Sequence, residues 1–134
     1  MILLSWNIRG MNDPNKIKEI KKYLESNHTC LVRLLETRVK EKNEKKIQRK
    51  FGTNWSWCSN YDHHRKGRVW VGWRRSQCQV DLVRKHTQFI AVHVQSQVHG
   101  RFIVVFIYGL HTVTDRKELW KQLRTLNNLS LIHI

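Results

Sequence analysis

Residues 2–36 constrain the fold of this chain more than any other stretch, because they read as strand, helix, strand. Ile2–Ile8 is a short apolar run with Ser5 and Asn7 near its end, and it reads as a buried strand. Gly10–Pro14 is a turn. Asp13 can cap the helix that follows, and Pro14 suits its first position, where no backbone N–H is needed. Ile17, Ile20 and Leu24 fall at i, i+3 and i+7, which predicts an amphipathic helix over 15–26, ended by Asn27-His28. Cys30–Leu35 is a second buried strand, closing at Glu36-Thr37. Strands joined by a crossover helix run parallel, so the carboxyl ends of these two emerge on the same edge of one sheet.

The next segment, Lys42–Phe51, reads as a basic helix with Ile47 and Phe51 inward, closed by Gly52. The period then changes to two. Trp55, Trp57, Ser59 and Tyr61 share a face, and Val69, Val71 and Trp73 do the same after an Arg65-Lys66-Gly67 turn. Cys78, Val80 and Leu82 follow, then Ile90, Val92 and Val94. Phe102–Tyr108 is apolar on both faces and belongs in the middle of a sheet, with Gly100-Arg101 as the turn before it. Thr114 is placed to cap a last helix lined by Leu119, Trp120, Leu123 and Leu126. The class is mixed α/β, with no internal repeat or linker.

Charge narrows the function classes. Lys plus Arg number 25 and Asp plus Glu 10, for a formal +15 on 134 residues. Such a field attracts polyanions, and nucleic acid rewards it by counterion release. Part of the charge also reads as solvated helix face, as over Lys40–Lys50 with Glu41 and Glu44 interspersed. No apolar run approaches the ~18 residues of a spanning helix, and no basic helix carries a large aromatic face for a membrane surface. Met1–Trp6 lacks the pattern of a secretory leader, so an intracellular, reducing site, nuclear or cytoplasmic, is expected. Cys30, Cys58 and Cys78 have neither disulfide-framework nor zinc-knuckle spacing, and the eight histidines pair at no ligand spacing within a helix. There is no phosphate loop: Gly67-x-x-x-x-Gly72 lacks the following Lys-Ser/Thr.

The candidate chemistry sits at strand ends. Asn7 and Glu36 lie at the lips of the first two strands, where a carboxylate beside a carboxamide can hold a hard cation. Mg²⁺ takes one or two protein carboxylates and fills its shell with water and phosphate. The alternative is that Asn7 starts a turn and Glu36 caps it or pairs with Arg9 or Arg38. Tyr108 and His111, after the last strand, could donate to a phosphate, and His111 could carry a proton; they could equally be a core-closing aromatic and a loop histidine.

Four motifs in order resemble the endonuclease/exonuclease/phosphatase superfamily: Ser5-Trp6-Asn7-Ile8-Arg9-Gly10, Leu34-Leu35-Glu36-Thr37-Arg38, Gly67-Arg68-Val69-Trp70-Val71-Gly72-Trp73, and Tyr108-Gly109-Leu110-His111 with Asp115-Arg116-Lys117-Glu118-Leu119-Trp120. The wording is most similar to the apurinic-like endonuclease domain of plant LINE-type (non-LTR) retrotransposons, over about residues 2 to 128. The resemblance implies a four-layer α/β sandwich and a phosphodiesterase that uses Mg²⁺, or Mn²⁺, in the complete domain. It assigns metal ligation to Glu36, organisation of the metal and attacking group to Asn7, and phosphate contact to Tyr108 and His111. It also implies DNA as partner and a reverse transcriptase domain downstream. Arg9, Arg38, Arg65, Lys66, Arg74 and Arg75 are the candidate DNA contacts.

Departures from the family pattern are specific. His111 stands where the family usually has Asn, and Arg9 where apurinic enzymes have Asp. Thr29-Cys30-Leu31-Val32 lacks the usual Asp, and Arg33 is a lone charge within a strand. The later Gly-Asp-x-Asn and Ser-Asp-His segments are absent. The expectation is therefore the first sheet of an incomplete sandwich, residues 1–128, with one apolar sheet face left uncovered. Residues 129–134, Leu-Ser-Leu-Ile-His-Ile, resemble a translated library adapter and are expected to be an artefactual tail, the alternative being an ordinary strand. On this reading the chain is an inactive endonuclease fragment. The alternatives are a non-catalytic basic nucleic-acid-binding fragment and a non-functional truncated product.

Overall fold

A computed structural model of the chain describes residues 2–61, 69–108, 113–126 and 131–133. The chain opens with β1 (Leu3–Asn7), α1 (Pro14–Ser26) and β2 (Leu31–Leu35), and β1 and β2 pair in parallel with Leu3 opposite Leu31 and Asn7 opposite Leu35. The start of α1 follows from its sequence: the Asp13 carboxylate accepts from the Asn15 amide at 2.9 Å, and Pro14 occupies the first helical position. Its end is a Schellman motif. His28 takes φ +52°, its amide donates to the Glu25 carbonyl, and the Thr29 amide donates to the Leu24 carbonyl at 3.0 Å.

A single 3-10 turn, Glu41–Asn43, leads into α2 (Glu44–Arg49), so the basic helix is shorter than its charge pattern predicts. The Asn43 side chain provides no cap at its start. β3 (Trp55–Ser59) and β4 (Val69–Arg74) complete the first sheet in the order β1-β2-β4-β3. β5 (Cys78–His86), β6 (Phe89–Ser96), β7 (Gly100–Ile107) and β8 (Leu131–His133) form a second sheet in sequence order, and α3 (Val113–Thr125) precedes β8. Thr114 thus lies inside the first turn of α3 rather than ahead of it. Leu131–His133, within the six carboxyl-terminal residues, pairs parallel with Ile103–Val105.

The expectation of a single sheet is corrected here, because the period-two run divides. The turn Arg75–Gln77 carries the chain out of one sheet and into the other, since β4 pairs with β2 and β3 while β5 pairs with β6. Three apolar clusters then separate four layers. Ile17, Ile20 and Leu24 of α1, Ile47 of α2 and Phe51 just beyond it bury against Val32, Leu34 and Trp70 of the first sheet. Leu31, Val69 and Val71 meet Val92, Val94, Val104 and Phe106 between the sheets. Leu119, Leu123 and Leu126 cover Phe89, Ala91, Ile103 and Val105 on the outside of the second sheet. β7 is apolar on both faces because both are covered, so the uncovered face predicted for it does not exist. Trp120 is excluded from that interface and is 56% exposed. Leu82 keeps its expected face, opposite Val92 and in register with Val80, but it lies on the edge strand just before a bulge between Leu82 and Arg84 and is exposed.

Candidate active site

The parallel pairing of β1 and β2 brings Asn7 and Glu36 to one end of the first sheet, as the crossover argument requires. Along β1 the side chains alternate, with Leu4 and Trp6 against the helices and Leu3 in the inter-sheet core. Asn7 therefore shares the inter-sheet face with Leu3 and Ser5, and it is exposed at the lip. Glu36 follows β2 directly and is half-buried.

Backbone bonds hold the two strand-end loops together. The Ile8 amide donates to the Leu35 carbonyl at 2.9 Å, Gly10 to Glu36 at 2.8 Å and Met11 to Thr37 at 2.8 Å. The Asn12 carboxamide adds a bond to the Arg38 carbonyl at 3.0 Å. Within this pair of loops Arg9, Glu36 and Arg38 all adopt the left-handed region, at φ +55°, +54° and +56°, beside Gly10 at +108°. A non-glycine residue there costs on the order of 1 kcal/mol or more, and such residues persist where the surroundings over-determine them, often at ligand sites. Among the described residues, three of the four non-glycine positions with positive φ lie in these two loops. Glu36 forms no ion pair with Arg9 or Arg38 among the described residues, so the pairing alternative is not what the structure shows. Both arginines are exposed and form a cationic rim around the carboxylate.

Tyr108 approaches from the second sheet. It follows β7, its amide donates to the Gln88 carbonyl at 2.6 Å, and its side chain packs half-buried against the inter-sheet core. Arg33 joins the two halves of the site. It pairs with Ser5 across β1 and β2, bonds the Ser5 hydroxyl through Nε at 2.9 Å and Nη2 at 2.6 Å, and donates from Nη1 to the Ile107 carbonyl at 2.7 Å. Burial pulls its guanidinium below the usual arginine range. Sequence reasoning marked Arg33 only as an odd charge; its role is to bolt the end of β7, one residue before Tyr108, to the strands that carry Asn7 and Glu36.

Other candidates divide. His111, Arg65 and Lys66 lie outside the described residues. Arg74 is not available to DNA: its guanidinium bonds the Thr29 and Leu24 carbonyls at 3.0 and 3.3 Å and covers the Trp55 ring at 4.8 Å, closing the carboxyl end of α1. A cation beside the carbonyls at the carboxyl end of a helix explains this use, which adjacency to Arg75 concealed. Arg75 is exposed, but it belongs to the opposite end of the first sheet, two residues beyond the Trp73–Leu31 pair. At ~3.3 Å per residue that is roughly 20 Å from Glu36.

The fit to a metal can be judged from the donors. Glu36 and Asn7 offer oxygen ligands of the kind Mg²⁺ prefers, while no three His, Cys, Asp or Glu side chains come together among the described residues. The chain's residues thus fit a hard divalent cation as one part of its shell. No helix of the structure is long and apolar enough to cross a membrane.

No family model and no curated protein matches the sequence. Solved structures do match its fold. An endonuclease/exonuclease/phosphatase family protein from Bacteroides thetaiotaomicron superposes with a TM-score of 0.67 at 12% identity, over 97% of this chain and 60% of that one. A mannosyl-6-phosphatase from the same organism gives 0.62 at 12% identity, over 92% and 59%. Humanized D. rerio TDP2 gives 0.58 at 14% identity, over 92% and 53%. The chain spans between 53% and 60% of the length of these three structures. Two four-stranded sheets between helical layers, with strand-end loops gathered at one lip, give this chain the mixed α/β fold of endonuclease/exonuclease/phosphatase family proteins.

Proposed function

We propose that this chain is the amino-terminal part of a Mg²⁺-dependent DNA endonuclease of the LINE retrotransposon type, which nicks target DNA by phosphodiester hydrolysis. The observation that carries the reading is the pair of interlocked loops at Asn7 and Glu36, with Arg9, Glu36 and Arg38 all in the left-handed region. That backbone supports a reading in which a carboxylate and a carboxamide act together at one end of the first sheet, beside exposed cations.

In the complete domain, Glu36 holds the ion and Asn7 positions the attacking water. Tyr108 donates to the scissile phosphate, and His111 provides a second contact. Arg9 and Arg38 draw the DNA backbone towards the lip. Bound Mg²⁺, or Mn²⁺, supplies charge stabilisation to an in-line displacement at phosphorus. The groups expected to deprotonate the water belong to Gly-Asp-x-Asn and Ser-Asp-His segments that the 134 residues do not contain. We therefore expect no turnover from this polypeptide alone, and a reverse transcriptase domain further along the full element.

Supercoiled plasmid tests both statements. A chain extended through the genomic reading frame should nick it with Mg²⁺, and Glu36→Gln should abolish the nicking. Nicking by the 134-residue chain that Glu36→Ala removes would overturn the claim of inactivity. An extended chain whose nicking survives Glu36→Gln would overturn the site.

A further inference from the structure

Cys30 and Cys78 are 48 residues apart in the sequence, but the fold brings them to one place. Cys30 stands one residue before β2, in the first sheet, and Cys78 opens β5, in the second. The Arg74 amide donates to the Cys30 carbonyl at 2.8 Å, and the turn that follows carries Cys78 back to the same peptide. The Cys78 thiol points at the Cys30 and Arg74 carbonyls, each 3.9 Å away. The Cys30 thiol donates to the carboxamide oxygen of Gln77, the residue next to Cys78. Burial pushes the Cys78 thiol up from its ordinary value, and the charge of an ionised Cys30 adds to the rise.

Access sets this pair apart from thiols sealed in a core. Cys30 and Cys78 are only 8% and 7% exposed, yet both line a cavity of about 580 Å³ between the β4–β5 and β6–β7 turns. Arg75 lines it as well and offers a cation to a thiolate or to an anionic reagent. The third cysteine is placed differently: Cys58 lies in β3 opposite Val71 and does not line the cavity.

We infer that Cys30 and Cys78 form a reversible disulfide, which straps the two sheets together at the end away from Asn7 and Glu36. Bridged cysteines keep their Cα atoms within about 7 Å. With the Cys78 sulfur already beside the Cys30 peptide, a turn of the Cys30 side chain away from Gln77 closes the bond. Glutathione disulfide is the class of oxidant required. One cysteine, as thiolate, attacks a sulfur of that disulfide and releases the first glutathione thiolate. The other cysteine, as thiolate, attacks the protein sulfur of the mixed disulfide and releases the second. One S–S bond breaks in the oxidant and one forms in the protein, and two glutathione molecules carry away the two electrons and two protons. Such bridges in a reducing compartment are transient and sense its redox state. The inference uses none of Asn7, Glu36 or Tyr108 and stands apart from the nicking reading.

Glutathione disulfide added to the reduced 134-residue chain tests it. The mass of the monomer should fall by about 2 Da, as one intrachain bridge requires. Tryptic mapping with free thiols blocked should join peptide 23–33 to peptide 76–84 and find Cys58 blocked in peptide 51–65. The thermal midpoint should rise by about 5–15 °C, because the bridge restricts the unfolded chain, and dithiothreitol should reverse both changes. Cys30→Ala and Cys78→Ala should each lose the bridge and the shift, whereas Cys58→Ala should keep both. The peptide map of the parent chain decides the pairing even where a variant fails to fold. A bridge that includes Cys58, a bridge between two chains, glutathione adducts alone, no oxidation, or a bridge that leaves the midpoint unchanged would each overturn the proposal.

Discussion

The Arg33 guanidinium donates to the Ile107 carbonyl oxygen at 2.7 Å, tying the first sheet to the end of β7. Cluster packing alone would let the two sheets slide, because apolar contacts carry little directional preference. A charged hydrogen bond with fixed geometry sets the offset between them. It does so between the strand that leads to Glu36 and the strand that leads to Tyr108.

Removing that bond should be costly for its size. Arg33→Met deletes the bond to Ile107 and both bonds to the Ser5 hydroxyl, and should destabilise the fold by about 2–3 kcal/mol in urea titrations. Arg33→Lys should recover little, since a single ammonium cannot replace a planar fork that reaches Ser5 and Ile107 together. An Arg33→Met midpoint equal to that of the parent chain would remove the clamp from the account.

Gly72 is required by a close approach. A Cβ there would meet three carbons of the Trp57 ring at 2.6, 2.7 and 2.9 Å. The ring has little room to retreat, with Phe51, Trp55 and Trp70 centred 5.0, 5.9 and 5.7 Å away. Gly72→Ala should cost about 1–3 kcal/mol. Adding Trp57→Leu should return part of that loss, a coupling of about 1 kcal/mol or more in a double-mutant cycle. Strictly additive losses would mean that the clash is relieved elsewhere.

Much of this architecture was legible in the sequence, and the failures have definite causes. Asp13, Pro14 and the Ile17–Ile20–Leu24 spacing are local signals, so α1 and the parallel strands around it could be read directly. The juxtaposition of Asn7 and Glu36 followed from the crossover rule. The split into two sheets did not, because alternation such as Val69-x-Val71 or Val92-x-Val94 records which face is buried, not which sheet owns the strand. Arg75–Gln77 looks like any tight turn, and only pairing partners far along the chain reveal that it changes layers. Arg33 and Arg74 were unreadable for the same reason: their acceptors lie 74 residues away at Ile107, and 45 and 50 residues away at Thr29 and Leu24. Tyr108 was singled out by its place at a strand end, and its role beside Asn7 and Glu36 came from the resemblance.

Trp120 illustrates a related limit and supports a contrast between two substitutions. A tryptophan beside Leu119 in a periodic helix suggests a core anchor, yet Trp120 is exposed while Leu123 is buried against the second sheet. Leu123→Ala should therefore cost about 2–4 kcal/mol. Trp120→Ala should stay within about 0.5 kcal/mol of the parent. Comparable losses for both in thermal or urea unfolding would place Trp120 in the interface after all.

Tyr61 gives the fold an alkaline limit. Its hydroxyl donates to the Val39 carbonyl at 2.6 Å and accepts from Trp70 Nε1 at 3.2 Å. Burial pushes the phenol up from 10.0 to about 12, with Glu44 and Glu41 adding to the rise and the bonds from Trp70 and Thr37 opposing it. The folded chain therefore keeps this proton over a range in which the unfolded chain loses it. The contribution is fully present below about pH 10 and declines as pH rises towards about 12. Tyr61→Phe should cost about 1–3 kcal/mol at neutral pH, because the Val39 carbonyl and the Trp70 indole N–H lose their partner. It should also flatten the fall in stability above about pH 10, because phenylalanine has no proton to lose. Urea midpoints at intervals from about pH 8 to 11 separate these two effects. Parallel decline of parent and variant above about pH 10 would assign the alkaline limit to another group.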